Sequence, residues 1–433
     1  MKVSVEEPSV CRRILRIEVP KDVVDPEYDK VIKEYAEVAR IPGFRKGKAP
    51  ASLVESRHSK QIVEETSNRL VSKCYREALT EKQIDPVAIL GVHNVSLHKG
   101  QGLQFSVEVD VPPKFKVPKY RGLSLKGNKV EVEDTRVEDA LTDLRERSAK
   151  FEEVLDKQVA NGDMVQIDYR GTCEGKPIKE IAPDVAALGE GTDFWTIVGE
   201  TEFVPGLSAG LLGANIGDSR DVDVTFPEHY RITQVAGRSA SYTVMVKAVR
   251  IKVLPEIDNA FLKNLGVDSE TSLRVKLRER LLDAAHASEK RRLIGEITKK
   301  LLEKASFGVP QSLVVAETRS AVSEIVSQNT ARGVPREQIE KSKDDIVKAA
   351  TQSSEERVKL KFILERIADA ERITVDDSEI DMRIGLLAQS YGVEKSALRR
   401  DLEKRNALAN VRESLQAEKA LEFVLERAKV RVK

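Results

Sequence analysis

Residues Gly162–Ile178 read GDMVQIDYRGTCEGKPI. Val165, Ile167 and Tyr169 alternate with polar neighbours, which places them on one face of a half-buried strand. The same alternation returns at Tyr242, Val244 and Val246, and glycines are frequent between the two runs. Residues 153–252 therefore read as a small β-rich domain.

Upstream the pattern differs. Leu15, Ile17 and Val19 alternate as a strand, and Asp25 with Pro26 supplies an N-cap and a first-turn proline for a following helix. That helix carries Tyr28, Val31, Ile32, Tyr35 and Val38 on one face. It gives way to IPGFRKGKAP, residues 41–50, and a second helical pattern follows through Ile62, Val63, Leu70, Val71, Cys74 and Ala78. Residues 93–111 return to strand alternation at Val95, Leu97, Phe105, Val107 and Val109, so 1–115 is an α+β domain. Pro112, Pro113 and Pro118 interrupt it. Residues 116–152 read as a linker with a helix, opened by a Thr135/Glu138 capping box and carrying Val137, Ala140, Leu141 and Leu144.

Downstream of Pro255 helix formers dominate. Apolar faces run through Val358, Phe362, Leu364 and Ile367, then Ile380, Ile384, Leu387 and Tyr391. Gly308, Pro310 and Gly333 mark the breaks, and 253–433 is an all-helical domain. The fold class is multidomain α+β.

Composition agrees with several domains: 433 residues at about 150 per domain give about three. Lys+Arg (72) and Asp+Glu (71) nearly cancel to a net charge of +1, which excludes a general polyanion binder and leaves any nucleic-acid contact to a local patch. Cys11, Cys74 and Cys173 are odd in number, far apart and without a CxxC pair, as expected of reduced cytoplasmic thiols. The N-terminus carries Glu6 and Glu7 and no apolar h-region, and no apolar run approaches the ~20 residues of a membrane span, so a soluble, unexported protein with no membrane partner is expected. The five histidines, His58, His93, His98, His229 and His286, are scattered and form no metal site. No GxxxxGK[ST] loop is present, so no cofactor and no ATP-driven cycle are expected.

Gly43–Pro50, GFRKGKAP, gathers three cations, Arg45, Lys46 and Lys48, beside Phe44 and the permissive Gly43 and Gly47. Such a tip can release counterions from RNA and stack or insert a ring. By composition and spacing alone, a solvated turn between helices is the better reading.

GFRKGKAP, set between two helices, is similar to the ribosome-binding signature of the trigger factor family. The resemblance implies that Phe44, Arg45 and Lys46 contact ribosomal RNA and a tunnel-exit protein at the rim of the large-subunit exit tunnel. Gly43, Gly47 and Pro50 would shape the loop, and Lys48 would complete its basic tip.

Within the β-rich domain three segments resemble the FKBP-type prolyl isomerase pattern: 162–178 above, TDFWTIVGETEFVPGLSAGLLGANIGD at 192–218, and VTFPEHY at 224–230. The implied fold is an antiparallel sheet with a short helix. Rotation about an Xaa-Pro bond faces a barrier of ~18–20 kcal/mol because twisting removes amide resonance. A dry apolar pocket that prefers the twisted amide lowers it without a nucleophile. The resemblance assigns Tyr169, Phe194, Phe203, Val204, Tyr230 and Tyr242 to that pocket, although aromatic residues on alternating strands also fill small cores. Ile178 and Lys179 stand where the family has an aromatic and an acid, Leu207 stands at its pocket-floor aromatic, and Ile178–Thr192 is long; these departures point to a weak or altered isomerase. Trp195, by alternation with Phe194, faces the opposite side.

The helical half, with VPQSL at 309–313, is similar to the trigger factor C-terminal domain, whose body and two arm-like extensions cradle unfolded chains. The resemblance covers the whole chain. It implies an ATP-independent cytoplasmic chaperone at the ribosomal exit tunnel that holds nascent unfolded polypeptides and carries a subsidiary isomerase. A homodimer is the candidate state off the ribosome. Two alternatives stay open on the residues: a soluble FKBP-type isomerase whose other domains only recruit substrates, and a helical scaffold with a vestigial insert.

Overall fold

The computed structural model describes residues 1–433 apart from 39–41, 43, 45–47, 200–202, 229, 231, 406 and 433. Among the described residues, four strands form an antiparallel sheet in the order Lys2–Ser9, Arg12–Val19, Gly102–Asp110, Ala88–His98. Helices Lys21–Val38 and Ala51–Glu81 supply the apolar side chains that cover one face. Leu15 pairs with Val107 and Ile17 with Phe105, and all four join Val24, Tyr28, Val31 and Ile62 in one buried core.

The expected helix start at Asp25–Pro26 is not observed. The helix begins at Lys21, because Val24, Tyr28 and Val31 continue one buried stripe and carry it back past the proline. Pro26, the sixth residue of the helix, cannot donate the i→i−4 hydrogen bond to the Asp22 carbonyl, a loss that burial of the stripe offsets. Asp25 instead accepts a hydrogen bond from the Gly100 N–H at 3.0 Å. The alternation read over 93–111 resolves into two strands that turn through Gly100 and Gly102, both at positive φ.

The chain divides into two units, residues 1–129 with 289–433, and residues 130–288. In the second unit a sheet runs Ser219–Thr225, Ser239–Val253, Met164–Cys173 and Lys176–Pro177, with Lys150–Val154 added on Ser239–Val253 and Glu190–Ile197 on Met164–Cys173. Tyr242, Phe226, Ile167, Ile178 and Leu211 are the unit's largest fully buried side chains among the described residues. A separate apolar cluster of Leu141, Phe261, Leu262, Val267 and Leu273 ties the helix Asp134–Arg147 to the segments that follow the sheet. The expected capping box on that helix does not form: Glu133 is the N-cap, Thr135 bonds its carboxylate, and Glu138 is drawn to Arg274. A complete capping box closes instead on Asp376 and Glu379, ahead of the helix Asp377–Tyr391.

In the first unit Ile297, Leu301, Ile363, Ile367, Ala420 and Val424 form the helical core. Leu123 and Leu125 enter the same core, Leu125 from the strand Ser124–Gly127, which pairs in parallel with Lys429–Val432. Phe362 and Ile367 are buried, as helix-on-helix packing requires. Among the described residues no helix is long and apolar enough to cross a membrane.

Candidate functional site

Strand Met164–Cys173 directs Ile167 and Tyr169 to the inner face of the second unit's sheet, and its antiparallel neighbour sets Phe194 opposite Ile167. The turn at Pro205–Gly206 needs the left-handed conformation, with φ of 86° at Gly206, and opens the helix Leu207–Leu211. This brings Val204 and Leu207 onto the same cluster. Tyr230 closes it from the loop after Phe226, donating its hydroxyl to the Phe203 carbonyl at 2.9 Å.

The eight side chains proposed from sequence therefore meet in one place. Ring centroids are 5.0 Å apart for Tyr169 and Phe203, 4.7 Å for Phe194 and Phe203, and 5.7 Å for Tyr169 and Phe194, with the last two edge-on. Phe194, Phe203 and Tyr230 are half-buried and form a rim. Ile178, Val204, Leu207, Tyr169 and Tyr242 are buried beneath them as a floor, Tyr242 at 0% exposure and Tyr169 at 5%. Trp195 lies on the other face, under the Arg250 guanidinium at 4.2 Å.

Burial pushes the Tyr169 and Tyr242 hydroxyls above the usual phenol range, so both are neutral donors at any physiological pH. Their protons are already placed: Tyr242 donates to the Leu188 carbonyl at 2.9 Å, and Tyr169 donates to the Ala187 carbonyl. The cluster offers desolvation and ring faces rather than acid–base chemistry, which suits rotation about an amide. Lys179, at the family's acidic position, pairs with Glu190 at 3.0 Å. Sequence reasoning missed the carbonyls of Ala187 and Leu188 as partners of the floor tyrosines. The spacing of Ile178, Ala182, Val185 and Leu188 was the available signal, since it is helical and apolar.

At the other end of the chain the Phe44 ring is 45% exposed, and Lys48 is exposed. Pro50 opens the helix Ala51–Glu81, its carbonyl accepting from the Leu53 and Val54 N–H groups. Gly43, Arg45, Lys46 and Gly47 lie outside the described residues.

Three family models match in order: bacterial trigger factor protein over residues 1–144, FKBP-type peptidyl-prolyl cis-trans isomerase over 156–247, and bacterial trigger factor C-terminus over 271–426. The trigger factor of Opitutus terrae is 34% identical, over 99% of this chain and 98% of that one. The chain belongs to the trigger factor family. The trigger factor of Koribacter versatilis is 30% identical over 96% and 94% of the two chains. A solved trigger factor chaperone, studied for promiscuous substrate recognition in folding and assembly, shares the fold with a TM-score of 0.53 at 18% identity, covering 98% of this chain and 99% of that one.

The chain is thus a trigger factor chaperone with an N-terminal ribosome-binding domain, and its middle domain is an FKBP-type peptidyl-prolyl cis-trans isomerase. Ribosomes and nascent chains are the partners that trigger factor membership implies. A trigger factor needs scattered apolar surface for clients of unrelated sequence. Met382, Leu386 and Tyr391 on the helix Asp377–Tyr391 are 60–68% exposed. A cavity of about 520 Å³ has an apolar wall of Val322, Val326, Val334, Ile339 and Ile346, with Thr330, Arg336, Glu340 and Lys343 also lining it.

Proposed function

We propose that the chain docks at the rim of the exit tunnel through Gly43–Pro50, with Phe44, Arg45 and Lys46 making the contacts to ribosomal RNA and a tunnel-exit protein. Lys48 adds charge, while Gly43, Gly47 and Pro50 set the loop's course. The exposed Phe44 side chain supports this most directly: it sits among cations in the sequence and belongs to none of the apolar cores formed by the described residues. A solvated turn needs no phenyl ring, whereas a tip that stacks on a base or enters an apolar pocket does. Ribosome cosedimentation of wild type and a Phe44→Ala, Arg45→Ala, Lys46→Ala variant tests the assignment. Binding should fall at least tenfold, and equal binding would refute it.

In the isomerase domain Tyr169, Ile178, Phe194, Phe203, Val204, Leu207, Tyr230 and Tyr242 form the prolyl pocket, with Phe194 as its accessible wall. Phe194→Ala should abolish most of the acceleration of a proline-limited refolding reaction. The site of action is the cytoplasm, where nascent chains emerge, and away from the ribosome the chain pairs as a homodimer. Sedimentation at micromolar concentration, with and without ribosomes, reads that pairing.

A further inference from the structure

Between the strands Lys176–Pro177 and Glu190–Ile197 the chain makes three short helical turns, Ile178–Ile181, Pro183–Val185 and Ala186–Gly189. Ile178, Ala182 and Leu188 are buried in the isomerase core, and Ile181 and Val185 pack against it. The three turns are separate, so burial rather than helical spacing puts these residues on one side, and the segment lays an apolar stripe on the isomerase core.

Two hydroxyls from the floor fasten it. Tyr169 donates to the Ala187 carbonyl and Tyr242 to the Leu188 carbonyl, both within the last helical turn. Glycines allow the close fit: a Cβ at Gly189 would stand 2.6 Å from the Lys179 amide nitrogen, and one at Gly191 would stand 2.6 Å from the Tyr169 ring. The consequence is steric. Tyr242 has no exposed surface and Tyr169 only 5%, so a proline ring cannot touch either as the pocket stands, closed by the Phe194 and Phe203 rings and by this segment. A pocket that stabilises a twisted amide must contact that amide, and here the floor is covered by the protein's own chain.

We propose that residues 179–189 are a lid over the prolyl site, latched by the Tyr169 and Tyr242 hydroxyls while Ile178 stays in the floor, and that a client's Xaa-Pro segment binds only where the lid's apolar residues, Ile181, Ala182, Val185 and Leu188, have been displaced. This rests on the pocket assignment of the preceding subsection. Because isoleucine and leucine side chains leave that space, the client residue that enters with its proline is apolar. Observed activity is then the intrinsic activity multiplied by the fraction of molecules with the lid lifted. A hydrogen bond made only in the closed state lowers that fraction, and its removal raises it.

The test uses the full chain and two readouts: kcat/KM for isomerisation of a Leu-Pro peptide, and hydrogen exchange of the amides in 178–190. Tyr169→Phe and Tyr242→Phe keep the ring walls and remove one latch each. Each should raise kcat/KM about threefold to tenfold, the range expected for one net hydrogen bond, with faster exchange confined to the lid. Gly189→Ala, which leaves both hydroxyls intact, should shift both readouts the same way and stands in if a tyrosine variant fails to fold. Unchanged lid exchange in the double tyrosine variant overturns the proposal, as does faster exchange with unchanged or lower kcat/KM. Phe194→Ala separates the two claims: a wild-type rate that survives it refutes the pocket assignment, while lid exchange still reports on the latches.

Discussion

Asp110 shows how much one side chain can carry without any signal in the sequence. It is 1% exposed, accepts from Arg12 Nε at 3.2 Å, and accepts from both the Ser312 hydroxyl at 2.5 Å and the Ser312 N–H at 3.2 Å. It therefore joins the end of an inner strand of the N-terminal sheet to the first turn of the helix Gln311–Ala331. Asp110→Ala leaves the Ser312 hydroxyl without its acceptor and the Arg12 guanidinium with Glu108 alone, and should cost about 2 kcal/mol, read as a lower denaturant midpoint at unchanged slope. Asp110→Asn keeps an acceptor for Ser312 and should lose less. Charged residues at strand ends are common, so pattern alone gave no reason to single this one out. The cluster of side chains proposed as the prolyl pocket was legible for the opposite reason. Tyr169, Phe194 and Tyr242 follow strand alternation and a known segment order, and the structure brings them together. Their hydrogen bonds to Ala187 and Leu188 were not legible, because backbone carbonyls leave no mark in a sequence.

Elements were readable where a buried stripe defined them and misread where local end signals stood in for it. Asp25–Pro26 has the chemistry of a helix start, yet burial of Val24 moved the start to Lys21. Thr135 and Glu138 have capping-box spacing, yet Glu138 gains more from Arg274 than from a backbone N–H. Both are cases of tertiary contacts overriding a preference worth about 1 kcal/mol. The helix Glu270–Glu303 carries a test of such contacts. Glu289 accepts from Arg292 and from the Asn128 N–H at 2.8 Å, where the chain leaves and re-enters the first unit. These donors, the Arg292 guanidinium foremost, hold its carboxyl down at about 2, against an ordinary value of 4.5. A depressed carboxyl stabilises fully above its ordinary value and loses that contribution as pH falls toward the folded one. Wild type should thus melt higher than Glu289→Gln at pH 6, and the gap should close steadily between about pH 5 and pH 2. A gap independent of pH would mean that the carboxylate charge contributes nothing.

At the scale of the whole molecule, composition marked 153–252 as β-rich, but the apolar cluster of Leu141, Phe261, Leu262, Val267 and Leu273 is contributed from outside those limits. Packing between segments so far apart in sequence cannot be read from composition. Residues 130–288 expressed alone should melt cooperatively, whereas 153–252 alone should melt lower or bind a hydrophobic dye; equal stability would show that the flanking cluster is dispensable. The charge balance makes a separate claim about docking. With 72 cations against 71 anions the general field of the chain is close to neutral, so in the docking proposed above affinity for RNA comes from a few cations at one tip. Counterion release converts this into a number. Each phosphate neutralised contributes about −0.7 to −0.9 to the slope of log affinity against log salt, so contacts through Arg45, Lys46 and Lys48 give a slope of about −2 to −3. Lys46→Ala should flatten that slope by a little under one unit. Phe44→Ala should instead lower affinity at every salt concentration and leave the slope unchanged, because a ring releases no counterions. A wild-type slope steeper than about −5 would require many more phosphate contacts than this loop can make, and would place the docking surface on the body of the protein instead.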